Sequence, residues 1–268
     1  MDRVRRLFVA LAAAAGVGSS LTACSRDEVR VSFRPPVGSS YQYEVRIHSV
    51  TTTRLADATP ERSEDDVMLR ADHTVLSADG NGVRVRVRLR QSEMPDRTFV
   101  VRLDRAAQLA GVEAVEGLPP SVVGPDALPQ ILPGAPGAPP DRPLSPGERW
   151  TIDAPSGLPG NADARLVGTG RLVELGLLDG RKVASTRAQT RLPVTSTAAL
   201  RGNAVALDGT ETTDGTATRD LADGAVERAA TVTLGEFALT LAPAGDDRGS
   251  RVGGTLTIEV RSETRRVR

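Results

Sequence analysis

Hydrophobic and polar residues alternate with a period of two over much of this chain. In residues 41–48, apolar side chains occupy the odd positions and polar side chains the even ones. Residues 83–90 repeat the pattern with aliphatic residues at odd positions and arginine at even ones. Since successive side chains of a strand point to opposite faces, the alternation predicts half-buried β-strands. The apolar face of the first strand would consist of Tyr41, Tyr43, Val45 and Ile47.

Residues 35–117 are predicted to form an antiparallel meander. Strands over 67–77 and 98–103 would join the two strands already described. The run Asp79-Gly80-Asn81-Gly82 predicts the hairpin turn before the arginine-rich strand, because Asp, Asn and Gly tolerate positive φ. Residues 104–110 favour a short helical turn.

Residues 147–268 show the same pattern and predict a second antiparallel half. The expected strands cover 151–153, 164–175, 181–190, 211–221, 225–241 and 252–264. Four Asp-Gly pairs indicate turns between or beside them, namely Asp179-Gly180, Asp208-Gly209, Asp214-Gly215 and Asp223-Gly224. We therefore expect an all-β fold of two antiparallel meander halves, arranged as a curved sheet, an open barrel or a sandwich.

The segment 118–146 separates the two halves and is rich in proline and glycine. Ten of the 18 prolines lie between Pro119 and Pro146, which excludes a helix or a central strand there. We interpret it as a connector with polyproline character. Two arrangements remain open: two separate halves, or a long ordered loop that crosses one continuous sheet.

A weak internal duplication supports the division into halves. Gly38 is followed three residues later by Tyr41, and Gly147 is followed at the same distance by Trp150. A proline precedes the glycine in both places. Turn chemistry alone generates part of such a match, so duplication remains one of two interpretations.

The amino terminus has the pattern of an export signal. Three arginines precede an apolar run at 7–17, which is too short to span a bilayer comfortably. The run leads to Leu21-Thr22-Ala23-Cys24, which contains the only cysteine of the chain. This ending resembles the lipobox of bacterial lipoproteins, and the resemblance covers about the first 24 residues. The alternative is an ordinary secretory peptide with an incidental cysteine.

The lipobox resemblance implies an address and an anchor. It implies that residues 1–23 are a signal peptide cleaved before Cys24, and that the Cys24 sulfur carries a diacylglyceryl group. Residues 24–34 would then be a tether with a first short strand. The protein would be held on the extracytoplasmic side of the cell membrane, or on the outer membrane if the cell has one. Its two or three acyl chains would anchor it stably, because a single chain binds only marginally.

Composition and spacing show no catalytic or cofactor motif. The only histidines are His48, on a polar strand face, and His73, on an apolar one, so neither suits a hydrolytic triad. With Cys24 lipidated, two separated histidines do not make a transition-metal site. Gly168-Thr169-Gly170 lacks the third glycine of a dinucleotide loop and indicates a bulge or a close backbone approach. We therefore predict no catalytic residue, no cofactor and no metal.

Charged residues offer one binding candidate and exclude one partner class. The 34 basic and 34 acidic side chains cancel, which argues against nucleic acid as a partner. The row Arg84, Arg86, Arg88 and Arg90 is a candidate for contact with anionic groups or lipid headgroups. The alternative is a solvated strand face whose charges meet acids such as Glu64, Asp66 and Asp72. The paired acids at 64–66 and 246–247 are expected to be solvated, and the basic carboxyl end to be frayed.

The mature part resembles, in general type, uncharacterised β-rich envelope lipoproteins of high-GC bacteria. Some of these have an antiparallel sheet that curls around an apolar cavity and handles lipid. This resemblance implies a non-enzymatic lipoprotein that binds a hydrophobic or lipid ligand in a cleft of the sheet. The alternative is a structural lipoprotein that presents β edges and the proline-rich connector to another envelope protein.

Overall fold

The computed structural model describes residues 28–91, 95–105, 107, 109–115, 137–156, 164–200, 203–243 and 251–267. Within these residues the chain forms thirteen strands and no helix. The strands are β1 Val29–Arg30, β2 Ser40–Leu55, β3 Glu61–Asp79, β4 Gly82–Gln91, β5 Arg97–Leu103, β6 Leu109–Val115, β7 Pro143–Leu144, β8 Arg149–Pro155, β9 Arg165–Leu178, β10 Arg181–Leu200, β11 Asn203–Asp220, β12 Val226–Pro243 and β13 Val252–Val267. The all-β prediction is confirmed.

Eleven of the strands form one antiparallel sheet. Its order is β6-β5-β4-β3-β2-β13-β12-β11-β10-β9-β8, so each predicted half is a sequential meander. The halves are joined edge to edge where β2 pairs with β13, with Val45 opposite Thr264. The two halves therefore share one continuous sheet, as one of the two arrangements predicted for the connector requires.

The sheet curls into a nearly closed, barrel-like shape. One apolar core contains Phe99 and Val101 of β5 together with Leu192 and Val194 of β10, although these strands lie near opposite ends of the sheet order. The face that points into this core is called the inner face below. The aromatic residues that follow Cys24 are all buried, and they are Phe33, Tyr41, Tyr43, Phe99, Trp150 and Phe237.

A second core lies beside the first under β8, β9 and β10. Val31 and Leu144 are completely buried in it, together with Trp150 and Leu172. Val31 follows β1 and Leu144 belongs to β7, and these two short strands pair with each other. The residues that precede each meander are thus packed against the curled sheet.

The two ends of the curled sheet differ. At one end lie the turns at residues 80–81, 179–180 and 221–225, and residues 31–34 cross it. There the amide of Arg34 donates to the carbonyl of Asp223 at 2.7 Å. This is called the closed end. The opposite end, called the mouth, contains the turn at 56–60 and the first residues of β11 and β13.

Both meanders begin with the same backbone arrangement. The amide of Gly38 donates to Val75 and the amide of Gly147 donates to Leu172, at 2.9 and 2.7 Å. Both glycines have a φ of +86°, which favours glycine over any other residue. Val75 and Leu172 each stand at a register shift of their strand pair. This equivalence supports the interpretation of an internal duplication.

Two of the four Asp-Gly turn predictions are wrong. Asp208-Gly209 and Asp214-Gly215 lie inside β11 and pair with β10 and β12 along its length. Gly209 serves a close approach instead of a turn, since a Cβ there would lie 2.0 Å from the carbonyl of Glu236. The predicted turns at Asp79–Gly82 and Asp179-Gly180 are confirmed.

Two further local expectations are corrected. Residues 104–110 contain a non-helical turn, because the φ of Ala107 is +62° and Leu109 already belongs to β6. The basic carboxyl end is not frayed through Val267, because β13 lies in the middle of the sheet with β12 on one side and β2 on the other.

Candidate functional site

Part of the inner face between the packed core and the mouth is aliphatic, while Ser49, Thr51 and Thr53 of β2 make another part of it polar. Five aliphatic residues there are only half-buried while they pack against the main core, in contrast to the fully buried core residues. They are called the mouth face and are Ile47, Val67, Leu207, Leu256 and Ile258. Half-buried aliphatic side chains on a concave surface are typical of hydrophobic ligand sites.

Strand register explains how the mouth face is built. Leu256 stands opposite Phe237 of β12 and Thr53 of β2, with all three on the inner face. The Phe237 ring occupies the space above Gly235, where an added Cβ would lie 2.5 Å from the ring. The aromatic ring therefore fills the place of a side chain on β12, and its neighbours Leu256 and Ile258 stay accessible.

A group of hydroxyl side chains crosses the inner face at mid-height. Thr190, Thr213 and Thr233 are adjacent across β10, β11 and β12. The Oγ1 atoms of Thr213 and Thr233 are 2.9 Å apart and form a hydrogen bond. These groups are polar but uncharged, so they impose little cost on an apolar ligand that contacts them.

Carboxylates lie beside the mouth face: Asp65 is two residues before Val67 on the same face of β3, and Glu211 lies on β11. Glu211 is in register with Leu192 on one side and with Gly235 on the other. It is half-buried and its Cγ is 3.6 Å from the position of a Cβ on Gly235. A ligand on the mouth face would therefore meet both aliphatic and carboxylate groups.

A second cluster of polar residues is buried at the closed end, around Arg219. This side chain is 1% exposed, and its Nη1 donates to the carbonyl of Gly224 at 3.3 Å. Burial lowers the pKa of the Arg219 guanidinium to about 10, and the nearby Tyr43 opposes that shift. Arg219 is therefore a buried cation at neutral pH.

Tyrosine and carboxylate groups complete this closed-end cluster. The Tyr41 hydroxyl donates to Asp223 at 2.8 Å, and the Arg266 guanidinium lies 4.7 Å from the centre of the Tyr41 ring. Arg266 also donates to the buried Glu227 at 2.7 Å. Burial raises the pKa of both tyrosines, and the bond to Asp223 raises that of Tyr41 further. Opposite charges and hydrogen bonds thus compensate the buried groups.

The sequence patterns did not identify Arg219 or Glu227 as buried. The alternation of strand faces was the available signal for Arg219, because it stands two residues after Ala217 on the same face of the predicted strand 211–221. Glu227 had the same signal, since it stands two residues before the buried Ala229 in the predicted strand 225–241. It is the extra residue of a β-bulge, since Thr218 pairs with Arg228 while Arg219 pairs with Val226.

The predicted arginine row lies on the outer face of β4. Three of its members have carboxylate partners: Arg84 contacts Glu113, Arg88 contacts Asp96 and Arg90 contacts Asp72. Of the acids expected to meet the row, only Asp72 does so among the described ion pairs. No described ion pair involves Arg86. The row is therefore largely engaged with acids from neighbouring segments.

The remaining predicted residues fall in three places. His48 is exposed with its Nδ1 3.0 Å from Asp66, whereas His73 is buried with its ring 4.9 Å from that of Tyr43. Gly168 is a site of close backbone approach, one of the two predicted interpretations, whereas Gly170 is covered by the Trp150 side chain. Cys24 and residues 246–247 lie outside the described residues. The acids at 64–66 are exposed but lie in β3 and not in a loop.

The outer face carries open depressions. One of about 610 Å³ is bordered by Glu44, Arg46, Glu263 and Arg265. A second of about 550 Å³ includes the exposed apolar residues Val167, Val232 and Leu234. A third of about 610 Å³ lies around His48, Asp66 and Met68. None has an enclosed shape, so they are surfaces on which another molecule could dock.

The fold and the site define an all-β protein whose curled sheet has half-buried aliphatic side chains on its inner face towards the mouth and a buried polar cluster at its closed end. No protein-family model matches the chain, and no curated protein matches it. In the part that the structure describes, no helix is long and apolar enough to cross a membrane. The described residues also contain no group of three His, Cys, Asp or Glu side chains placed to hold a metal ion.

Proposed function

We propose that this protein is an exported lipoprotein, anchored through Cys24, that holds a hydrophobic or lipid ligand against the mouth face. The observation that carries the proposal is the half-buried state of Ile47, Val67, Leu207, Leu256 and Ile258 on the concave side of the sheet. Side chains of this type gain about 25 cal/mol for each Å² of apolar surface that a ligand covers. The lipobox pattern supplies the anchor.

The proposed role is binding and not catalysis. The buried ionisable groups at the closed end are engaged with one another, as the Tyr41–Asp223 and Arg266–Glu227 contacts illustrate. They lie at the end opposite the mouth face. Next to the mouth face, Glu211 and the threonine hydroxyls offer polar contacts to the head of an amphipathic ligand.

Native mass spectrometry tests the ligand. Protein lacking residues 1–24 would be purified from its own host and sprayed under non-denaturing conditions. We expect a mass increment that matches a lipid and disappears after organic extraction. An empty monomer under these conditions contradicts the ligand proposal.

A second function is favoured by a different observation. Val167, Val232 and Leu234 expose apolar surface around the 550 Å³ outer depression. Exposed apolar patches of this kind mark protein interaction sites. On this alternative the protein is a structural lipoprotein that binds another envelope protein. An empty monomer combined with one cross-linked partner in cells would support it.

A further inference from the structure

We propose that the closed end of the curled sheet rests on the membrane that holds Cys24, so that the mouth faces away from that bilayer. The inference depends on the lipid anchor of the proposed function. It adds which end of the protein meets the lipid, and from which side a ligand reaches the mouth face.

The length of the tether limits where the anchor can lie. Val29, the first residue of β1, is the fifth residue after Cys24, so an extended tether spans at most about 18 Å. Val29 is paired with Leu144 of β7, and Arg34 is bonded to Asp223 at the closed end. Because the chain is held at both points, the acyl chains must lie near the closed end.

Exposed apolar side chains at the closed end give the second observation. Val37 is 62% exposed and Leu177 is 73% exposed, the highest values among the large hydrophobic residues described as exposed. Val37 lies just before β2, and Leu177 lies just before the turn at 179–180. Strands β2 and β9 are well separated in the sheet order, so the two side chains mark distant points of one rim. Such side chains gain free energy in the interfacial layer of a bilayer.

Charge is mixed at both ends of the curled sheet. At the closed end, Arg34 and Arg142 pair with the carboxylates of Asp141 and Glu148, and Lys182 stands opposite Leu177. At the mouth, the hairpin of β2 and β3 exposes Asp57, Glu61 and Asp65. The same hairpin also exposes Arg54 and Arg62, and the closed end also exposes Asp79 and Asp179, so charge favours neither end.

The dimensions of the sheet place the mouth out of reach of the anchoring bilayer. Strand β2 has 16 residues, which at a rise of about 3.3 Å corresponds to about 50 Å along the strand. The headgroup layer of a bilayer is only about 5–8 Å thick on each side. A ligand therefore reaches the mouth face from the aqueous side and not directly from the anchoring membrane.

Site-directed fluorescence quenching tests the orientation. Val37→Cys, Leu177→Cys and the mouth control Val252→Cys would be labelled with an environment-sensitive fluorophore in the full, lipidated protein. The Cys24 sulfur is blocked by its lipid, so each label has one target. The proteins would be reconstituted in phosphatidylethanolamine and phosphatidylglycerol vesicles with a nitroxide-headgroup lipid. Val252 is a matched control because it is also an exposed valine and opens β13 at the mouth.

We expect quenching at positions 37 and 177 to be at least threefold stronger than at position 252. Equal quenching at all three positions, or stronger quenching at 252, would overturn the orientation. So would an intact mass that shows no acyl group on Cys24. Circular dichroism of each labelled protein checks that its fold is retained.

The outcomes separate this inference from the ligand proposal. Strong quenching at 37 and 177 in a protein that carries no lipid ligand supports the orientation and contradicts ligand binding. A bound ligand with stronger quenching at 252 supports binding and contradicts the orientation.

Discussion

The indole of Trp150 lies against Gly170, its partner across the β8–β9 pair. A Cβ on Gly170 would lie 2.1 Å from the indole Cε2 atom. The only tryptophan of the chain therefore takes the place of a side chain on β9. This contact belongs to the second core and explains why a glycine stands inside a strand.

Replacing Gly170 by alanine should destabilise the fold. We expect Gly170→Ala to lower the free energy of unfolding by about 1–3 kcal/mol, because overpacked cores must shift their neighbours. Gly176→Ala is the matched control on the same strand, since a Cβ there meets nothing within 4 Å. Its effect should stay within about 0.5 kcal/mol. Urea denaturation measures both, and equal losses in the two variants would refute the assignment.

Substitution of one mouth-face residue should weaken ligand binding selectively. Ile258→Gln places an amide on the inner face, whereas Thr257→Gln places the same amide on the exposed outer face. Burying an unpaired amide costs about 1–3 kcal/mol, so we expect Ile258→Gln to weaken binding of a fluorescent fatty acid about tenfold. Thr257→Gln should remain within about twofold of the unsubstituted protein. Equal affinities in the two variants would remove the mouth face as the binding surface.

Stability should fall in alkaline solution because of Tyr43. Burial raises the folded-state pKa of Tyr43 above its unfolded value of about 10. The stabilisation that the neutral, buried Tyr43 side chain gives the fold is thus fully present below pH 10. It is lost as the pH rises towards the folded-state pKa. Relative to Tyr43→Phe, we expect the protein to lose about 1.4 kcal/mol for each pH unit above about 10. Urea unfolding at several pH values measures this, and parallel stability curves would contradict it.

The arginine row should behave as a solvated face. Arg90→Gln removes the ion pair with Asp72. Because the Arg90 side chain is exposed, the loss should lower the free energy of unfolding by less than about 1 kcal/mol. Because Arg84 and Arg88 already have carboxylate partners, Arg84→Gln and Arg88→Gln should each change binding of the unlipidated protein to phosphatidylglycerol vesicles by less than about twofold. A tenfold loss in vesicle sedimentation would restore the row as an anion site.

Loss of the only thiol should remove the anchor. We expect Cys24→Ala to lack the acyl mass increment and to leave the membrane fraction, since stable attachment needs at least two acyl chains. Cell fractionation with intact-mass analysis measures both effects. A Cys24→Ala protein that stays with membranes and keeps the acyl mass increment would contradict the proposed localisation.

Local patterns predicted most elements but not their full extent. Strand β10 continues to Leu200, ten residues past the predicted end, although it contains Pro193. Its last pair with β9 is Arg191 with Val167, so Pro193 lies beyond that ladder and interrupts no pairing there. Likewise, Asp208-Gly209 has the composition of a turn, but Phe237 packs over the glycine and β11 runs through. In both cases, pairing with a neighbouring strand outweighed the tendency of the local sequence to end the strand or form a turn.

The sequence by itself determined which side chains face the core, because strand alternation is a local property. Tyr41, Tyr43 and Val45 are buried, and the arginines of β4 lie outside, as their positions required. Only the tertiary structure decided that β2 pairs with β13, that the sheet curls, and that Arg219 is buried near Tyr43. Those contacts join segments far apart in the chain. They are selected by the burial of two apolar faces in one core, for which no local pattern codes.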